Sequence, residues 1–292
     1  MYSIDISYQG TILLNELLLL YVFWACQNAY VKPVEYCHLR KVSLKSIGLI
    51  IVAAIFLFIM ADYVNACSMI AFQNLLDDSL QAIVNKPVEA LVVVAILPAI
   101  IEEFLFRGMI YRGIANKSNK KIAIIISALL FAFLHMNFNQ MCYAFVMGLV
   151  FAIVIYLTDN LSVSILLHML FNAFTVIITC FEKSNAIQAI LQCNIAGYTL
   201  FNPSLTDTQG KIEISLLIIG GLIAILSAVI AGWLILLIAK TEKTTETTIN
   251  NKNILKDNDN IFKNNEKWKP DLRFFAGSGV CILIAILYEI LL

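Results

Sequence analysis

Long apolar runs separated by short polar stretches set the rhythm of this chain. A bilayer crossing needs roughly 20 mostly apolar residues, each rising 1.5 Å through about 30 Å of hydrocarbon. Eight runs approach or reach that length, at roughly 12 to 31, 46 to 63, 88 to 110, 121 to 137, 141 to 157, 161 to 181, 213 to 239 and 274 to 292. The pattern predicts an all-α, polytopic transmembrane helical bundle of about eight spans. Residues 64 to 85, with Asp77 and Asp78, are less apolar and read as an interfacial segment, the alternative being that the 46 to 63 span runs on into them. From Thr241 to Lys269 the chain is rich in Asn, Thr, Lys and Asp without apolar periodicity, which predicts a flexible cytoplasmic linker. The chain therefore divides into N-terminal spans with the interfacial segment (1–87), a central core (88–181), an outer loop and seventh span (182–239), a polar linker (240–273) and a C-terminal span (274–292).

Composition sharpens this picture. Hydrophobic residues make up 60% of the 292 and charged residues 14%, with a mean hydropathy of +0.84, whereas soluble domains carry about 25% charged residues. Twenty Lys+Arg balance twenty Asp+Glu, so no basic excess points to nucleic acid, and the lipid bilayer is the first partner implied. The seven cysteines form no CxxC and fall mostly in apolar runs, which argues against a disulfide framework or a zinc knuckle. No Lys or Arg precedes Lys32, so the first apolar run lacks the basic flank of a cleaved signal peptide and is expected to stay. Small residues at Gly220 and Gly221 are too few to argue dimerisation, and the oligomeric state is left open.

Lys and Arg accumulate in cytoplasmic loops. Four fall between Lys32 and Lys45, five between Arg107 and Lys121 and eight between Lys240 and Arg273, leaving Lys86, Lys183 and Lys211 for the other side. These are alternate loops of an eight-span chain, so the N-terminus is predicted outside.

Against so apolar a background, the polar residues inside spans stand out. An Asp, Lys or Arg at a helix centre costs about 2.5 to 3.5 kcal/mol on insertion scales, and such residues normally face a protein interior or a watery cavity. They are Glu16, Glu102, Glu103, Arg107, His135, His168, Asn172 and Glu289. On a helix, Glu103 and Arg107 are i and i+4 in the order that favours an ion pair, and Glu102 lies about 100° around from Glu103. One carboxylate can be neutralised while its neighbour faces a different environment, as suits a general base. The bland alternative is an interfacial charge cluster. Phe131 and His135 share a face at i, i+4, so the ring can dry the imidazole; a hydrogen-bonded structural histidine is the competing reading. His168 and Asn172 share a face too, as two donors that could grip an oxyanion or simply glue helices together.

Glu102-Glu103-x-x-x-Arg107-Gly108, then Phe131-x-x-x-His135, then His168-x-x-x-Asn172 follow one another on nearly adjacent apolar segments. In this order the chain resembles, over roughly residues 88 to 181, the CPBP family: the CAAX protease and bacteriocin-processing (Abi) group of intramembrane peptidases, which includes the type II CAAX prenyl proteases. The resemblance implies a helical membrane core that hydrolyses peptide bonds. Glu102 and His135 would activate the attacking water, His168 and Asn172 would stabilise the oxyanion, and Glu103 with Arg107 would be a structural pair. A peptide or membrane-protein substrate is implied, and the family branch together with the Asn, Ile and Lys usage points to a bacterial plasma membrane. Some members of the family act as scaffolds or regulators.

Alternatives stay open at this level. Ser164 shares a face with His168 at i, i+4, but a serine triad there lacks an obvious acid. A zinc site from Glu102, His135 and His168 with water in the fourth position is permitted by residue type, though HExxH is missing; the resemblance favours a metal-free, cofactor-free mechanism. A non-catalytic adaptor or immunity protein of the same fold accounts for the motifs without chemistry. A transporter relaying through Glu16, Glu102 and Glu289 is the third class. One geometric condition follows from opposed spans: Glu102 and His135 meet only if helix boundaries shift or the first helix continues through Gly108 to about Ala115, and the continuation is expected.

Overall fold

A computed structural model of the chain describes residues 17, 36–72, 85–116, 118–135, 138–206 and 210–254. The expected spans at 12–31 (Leu17 apart) and 274–292, together with Glu16, Asp77, Asp78 and Glu289, lie outside these residues. The described part is almost wholly helical: α1 (Leu44–Met69), α2, α3 (Lys120–Phe133), α4 (Phe138–Thr158), α5 (Leu161–Cys180), α6 (Asn185–Leu191) and α7 (Ile214–Ile254), with a small hairpin of β1 (Asn194–Ile195) and β2 (Tyr198–Thr199). Here α2 denotes five abutting helical segments, Pro87–Ala90, Leu91–Ile96, Leu97–Glu103, Phe104–Tyr111 and Arg112–Ala115. It runs through Gly108 to Ala115, so the condition set by the sequence is met and Glu102 falls near its middle.

Local signals account for the starts of these helices. Ser43, Asn119, Asn160 and Ser184 each accept a hydrogen bond from a backbone N–H in the first turn of α1, α3, α5 and α6, satisfying donors that have no partner within the helix. Pro87 opens α2 at the position where a missing N–H does no harm.

Among the described residues, four helices are long and apolar enough to cross a membrane: Leu44–Met69, Phe138–Thr158, Leu161–Cys180 and Ile214–Thr245. The chain is an integral membrane protein. Three details differ from the sequence-based expectation. The helix expected at 121 to 137 is α3, which has 14 residues and at about 21 Å falls short of a full crossing. α1 does not stop at residue 63 but continues to Met69, because its last turns have partners: Ala66 is buried, and Ser68 accepts a 2.6 Å hydrogen bond from Asn139 Nδ2 on α4. The stretch expected to be a linker from residue 240 begins as helix, since α7 runs on to Ile254. Glu242 explains the continuation. Its carboxylate is buried and accepts hydrogen bonds from Ser43 N (3.2 Å), Ser46 Oγ (2.6 Å) and Asn160 Nδ2 (3.1 Å), tying α7 to the starts of α1 and α5.

One core runs through the bundle, with Leu57, Phe58, Phe106, Phe131, Met147, Phe151 and Leu167 all buried. Packing of α3 on α4 is close enough that a Cβ on Gly148 would lie 3.1 Å from the Ala128 backbone, so a larger residue there would have to push the helices a few tenths of an ångström apart. Gly220 has a similar task. A Cβ at that position would collide with the ring of Tyr198 at the hairpin, so the small residues on α7 receive an aromatic side chain of the same chain.

Charged groups collect at the opposite end from the hairpin. Asp159, in the turn between α4 and α5, faces His38 Nδ1 at 2.6 Å, Arg112 Nη1 at 2.8 Å and Arg40 Nη2 at 3.2 Å. Burial opposes its ionisation, but hydrogen bonds from His38 and Arg112 and their positive charge prevail and lower its pKa from 3.8 to about 2. The stabilisation from a depressed carboxylate is complete above the unfolded value and is lost as pH falls through the folded one. The Asp159 side chain is half exposed, so screening keeps the contribution modest. In detergent micelles, the difference in melting temperature between the native chain and Asp159→Asn is expected to be constant above pH 5, to shrink between about pH 4 and pH 2, and to narrow further in high salt. An equal difference at pH 2 and pH 6 would contradict this assignment.

Candidate active site

Pro98 sets the geometry of the site. Lacking an N–H, a proline inside a helix cannot bond the carbonyl four residues earlier, and its ring crowds that carbonyl. Here the carbonyl belongs to Val94, inside the π-helical segment Leu91–Ile96 that precedes Pro98. Asn172 on α5 reaches that carbonyl from outside the helix: its Nδ2 donates to Val94 O at 3.2 Å. The backbone then carries Glu102 and Glu103 on the next turns and enters a second π-helical segment, Phe104–Tyr111, which holds Arg107. π-type turns inside α-helices occur often at functional sites.

Glu103 is the centre of the cluster and is fully buried. Its Oε1 accepts from Arg107 Nη1 at 2.8 Å and lies 3.1 Å from His168 Nδ1, while its Oε2 accepts from Ser164 Oγ at 2.6 Å. Arg107 is also fully buried and donates through Nη2 to Gly148 O at 3.1 Å, reaching the backbone of α4 where α3 and α4 are closest. The guanidinium lies 4.3 Å from the centroid of the Phe131 ring, so its face is covered by π density. The sequence reading of Glu103 and Arg107 as an i, i+4 pair corresponds to this contact.

His168 stands between the two glutamates. Its Nε2 is 3.8 Å from Glu102 Oε2, and its ring stacks on Phe151 at 4.6 Å while meeting Phe131 edge-on at 5.7 Å. Glu102, His168 and Glu103 thus form a row across the interface of α2 and α5. His135, just beyond α3, has Nδ1 3.0 Å from Phe131 O and packs edge-on against the Phe131 ring at 5.0 Å. Phe131 therefore touches both histidines and Arg107. In each histidine the Nδ1 side faces an oxygen that can only accept, so in the neutral ring Nε2 carries the lone pair. An oxyanion donor at neutral His168 would have to use the N–H that faces Glu103; donation from Nε2 requires a protonated ring.

Several contributors were not legible as such. Ser164, weighed as a nucleophile, is a hydrogen-bond donor to Glu103. Phe151, Gly148 and Val94 carry no polar signal in an apolar helix. Asp62, inside the second apolar run, is a further polar residue within a span; it accepts a hydrogen bond from Asn202 N at 3.2 Å and so fastens the loop after the hairpin. Among the described residues no group of three His, Cys, Asp or Glu could hold a metal ion.

Fold and site together define a polytopic helical membrane protein with an ionised, aromatic-walled cluster between its helices. Residues 84–174 match the family of type II CAAX prenyl endopeptidases described as Rce1-like. The membrane-embedded CAAX protease MroQ of Staphylococcus aureus (strain USA300) is 34% identical over 116 residues, covering 38% of this chain and 47% of that protein. The putative membrane peptidase YdiL of Bacillus subtilis (strain 168) is 31% identical over 87 residues, 30% of this chain and 36% of that protein. The chain thus spans less than half the length of either relative. No solved structure matches it.

Two stability measurements follow from the geometry. Removing one partner of a buried pair strands a charge, so Arg107→Met is expected to destabilise by about 3 to 5 kcal/mol, and adding Glu103→Leu should recover much of that loss. A neutral Arg107→Met would contradict the burial of the pair. In a double-mutant cycle, Asn172→Ala should cost about 1 kcal/mol in the native background and only a few tenths in Pro98→Ala, where residue 98 regains the N–H that bonds Val94. Equal costs in both backgrounds would separate Asn172 from Pro98.

Proposed function

We propose that the chain is an intramembrane endopeptidase, which hydrolyses a peptide bond of a membrane-associated or peptide substrate with a water molecule as nucleophile. The observation that carries the reading is the row of Glu102, His168 and Glu103, with the second carboxylate already engaged by Arg107. A purely structural ion pair needs one carboxylate; here a second stands 3.8 Å from the free edge of an imidazole. The Rce1-like match and the names of the two bacterial relatives support the same class of chemistry.

In this reading Glu102 is the base that takes a proton from the attacking water, and His135, one ring away across Phe131, helps hold that water through Nε2. Asn172 uses one amide N–H on Val94 O and offers the other to the oxygen of the scissile carbonyl as it becomes negative. A positioned base contributes typically 10² to 10⁴-fold, and an oxyanion donor roughly 10² to 10³-fold. No covalent intermediate is required: the Ser164 hydroxyl donates to Glu103 Oε2, a carboxylate already paired with Arg107. The site works without a metal, and the N-terminus lies outside a bacterial plasma membrane, with the basic end of the bundle in the cytoplasm.

Comparative peptidomics of cells carrying the native chain or Glu102→Gln tests this directly. Peptides generated by the native protein are expected to fall at least about 100-fold with Glu102→Gln, at equal levels of folded protein in the membrane, and cleavage by purified native protein should survive chelation. Identical peptide profiles would contradict the peptidase reading. Cleavage lost on chelation and restored by zinc would replace the metal-free mechanism.

A further inference from the structure

We infer that Glu103 is a positioning residue: held by Arg107 and Ser164, it fixes His168 as the tautomer protonated on Nδ1, so that Nε2 receives the proton of the attacking water from Glu102 and delivers it to the leaving amine. The role of Glu103 goes beyond its structural pairing with Arg107, and the proton path rests on the peptidase reading given above.

The inference starts from acceptor counting. A carboxylate beside a guanidinium is ionised and can only accept. Glu103 has contacts on both oxygens: Arg107 and His168 on Oε1, Ser164 on Oε2. The 3.1 Å approach of His168 Nδ1 to Oε1 is favourable only when Nδ1 carries a hydrogen. A neutral imidazole has one N–H, so Nε2 is bare. A half-turn of the ring would place a carbon against Glu103, so the contact with Oε1 selects the present edge, while stacking on Phe151 with the rings inclined by 22° holds the ring plane. A third group that orients a base and selects its tautomer is a recurring device of nucleophilic and acid–base sites.

Ser164 and Arg107 hold the carboxylate itself. With Ser164 Oγ on one oxygen and Arg107 Nη1 on the other, Glu103 cannot turn away from His168. Arg107 is in turn fixed by Gly148 O and the Phe131 ring. The chain of contacts therefore reaches from the α4 backbone to the bare nitrogen beside Glu102.

The proton balance is complete with water and peptide alone. As the water oxygen bonds to the carbonyl carbon, its proton passes to Glu102 and on to His168 Nε2 across the 3.8 Å gap, which closes by a small side-chain movement. The resulting imidazolium faces Glu103 on one side. Its new Nε2–H is the charged donor that the neutral ring lacks, and it stabilises the oxyanion. When the C–N bond breaks, that proton goes to the leaving nitrogen, and the products are an amine and a carboxylic acid.

The sequence has three histidines, which makes the tautomer directly measurable. In the full chain labelled with ¹⁵N-histidine and reconstituted in nanodiscs, with His38→Gln and His135→Gln for assignment, His168 is expected to show a protonated Nδ1 and an unprotonated Nε2 at neutral pH. Glu103→Gln should mix or invert the tautomers. Where that variant fails to fold, Ser164→Ala, which keeps the Arg107 pair, should broaden or mix the same resonances. Cleavage by Ser164→Ala or Glu103→Gln should fall in kcat by 10-fold or more with KM little changed. A native His168 protonated on Nε2, or a tautomer untouched by both substitutions, would overturn the inference. A chain with the expected tautomer that cleaves no peptide would support the positioning role and contradict the peptidase reading.

Discussion

One buried carboxylate, Glu103, organises the interior of this protein. It joins α2 to α5 through Ser164 and His168 and, through Arg107, joins both to the backbone of α4 at Gly148. Charge at such a depth persists only where a partner charge and hydrogen bonds match it, as they do here on both Glu103 oxygens. Matching constrains three helices at once, to hydrogen-bond tolerance. That rigidity is what allows the neighbouring Glu102 to keep a defined relation to a histidine on a different helix.

The backbone of α2 has the same logic at lower cost. Pro98 breaks one rung of the helix, Asn172 repairs it from outside, and the repair docks α5 against α2 beside the acidic pair. Residues spaced along one helix as His168-x-x-x-Asn172 thereby grip α2 at two levels, one by side chain and one by backbone. Aromatic rings fill the remaining space: Phe131 covers Arg107 and touches both histidines, and Phe151 lies flat on His168. A site walled by such rings excludes bulk water and strengthens the polar contacts it encloses.

Much of this was legible in the amino-acid sequence because membranes leave few reasons for a charged residue to be where it is. The all-helical class follows from the apolar runs, and Glu103 with Arg107 follows from i, i+4 spacing. The chemical direction of each imidazole was not legible: which nitrogen carries the hydrogen depends on partners such as Glu103 Oε1 and Phe131 O, which belong to tertiary geometry. Likewise the length of α1 and the helical start of the polar segment after residue 240 depend on Asn139 and on Glu242 finding donors on distant elements. Local composition predicts a linker there; three hydrogen bonds decide otherwise.

The central claim is that Glu102 and His135 hold a common water molecule able to attack a peptide carbonyl. An experimental map of the full chain in a lipid nanodisc, fine enough to show ordered water, tests it most directly. The account predicts a single water within hydrogen-bond reach of both the Glu102 carboxylate and His135 Nε2. A dry contact filled by an apolar side chain, or the two groups turned toward separate helix interfaces, would contradict it.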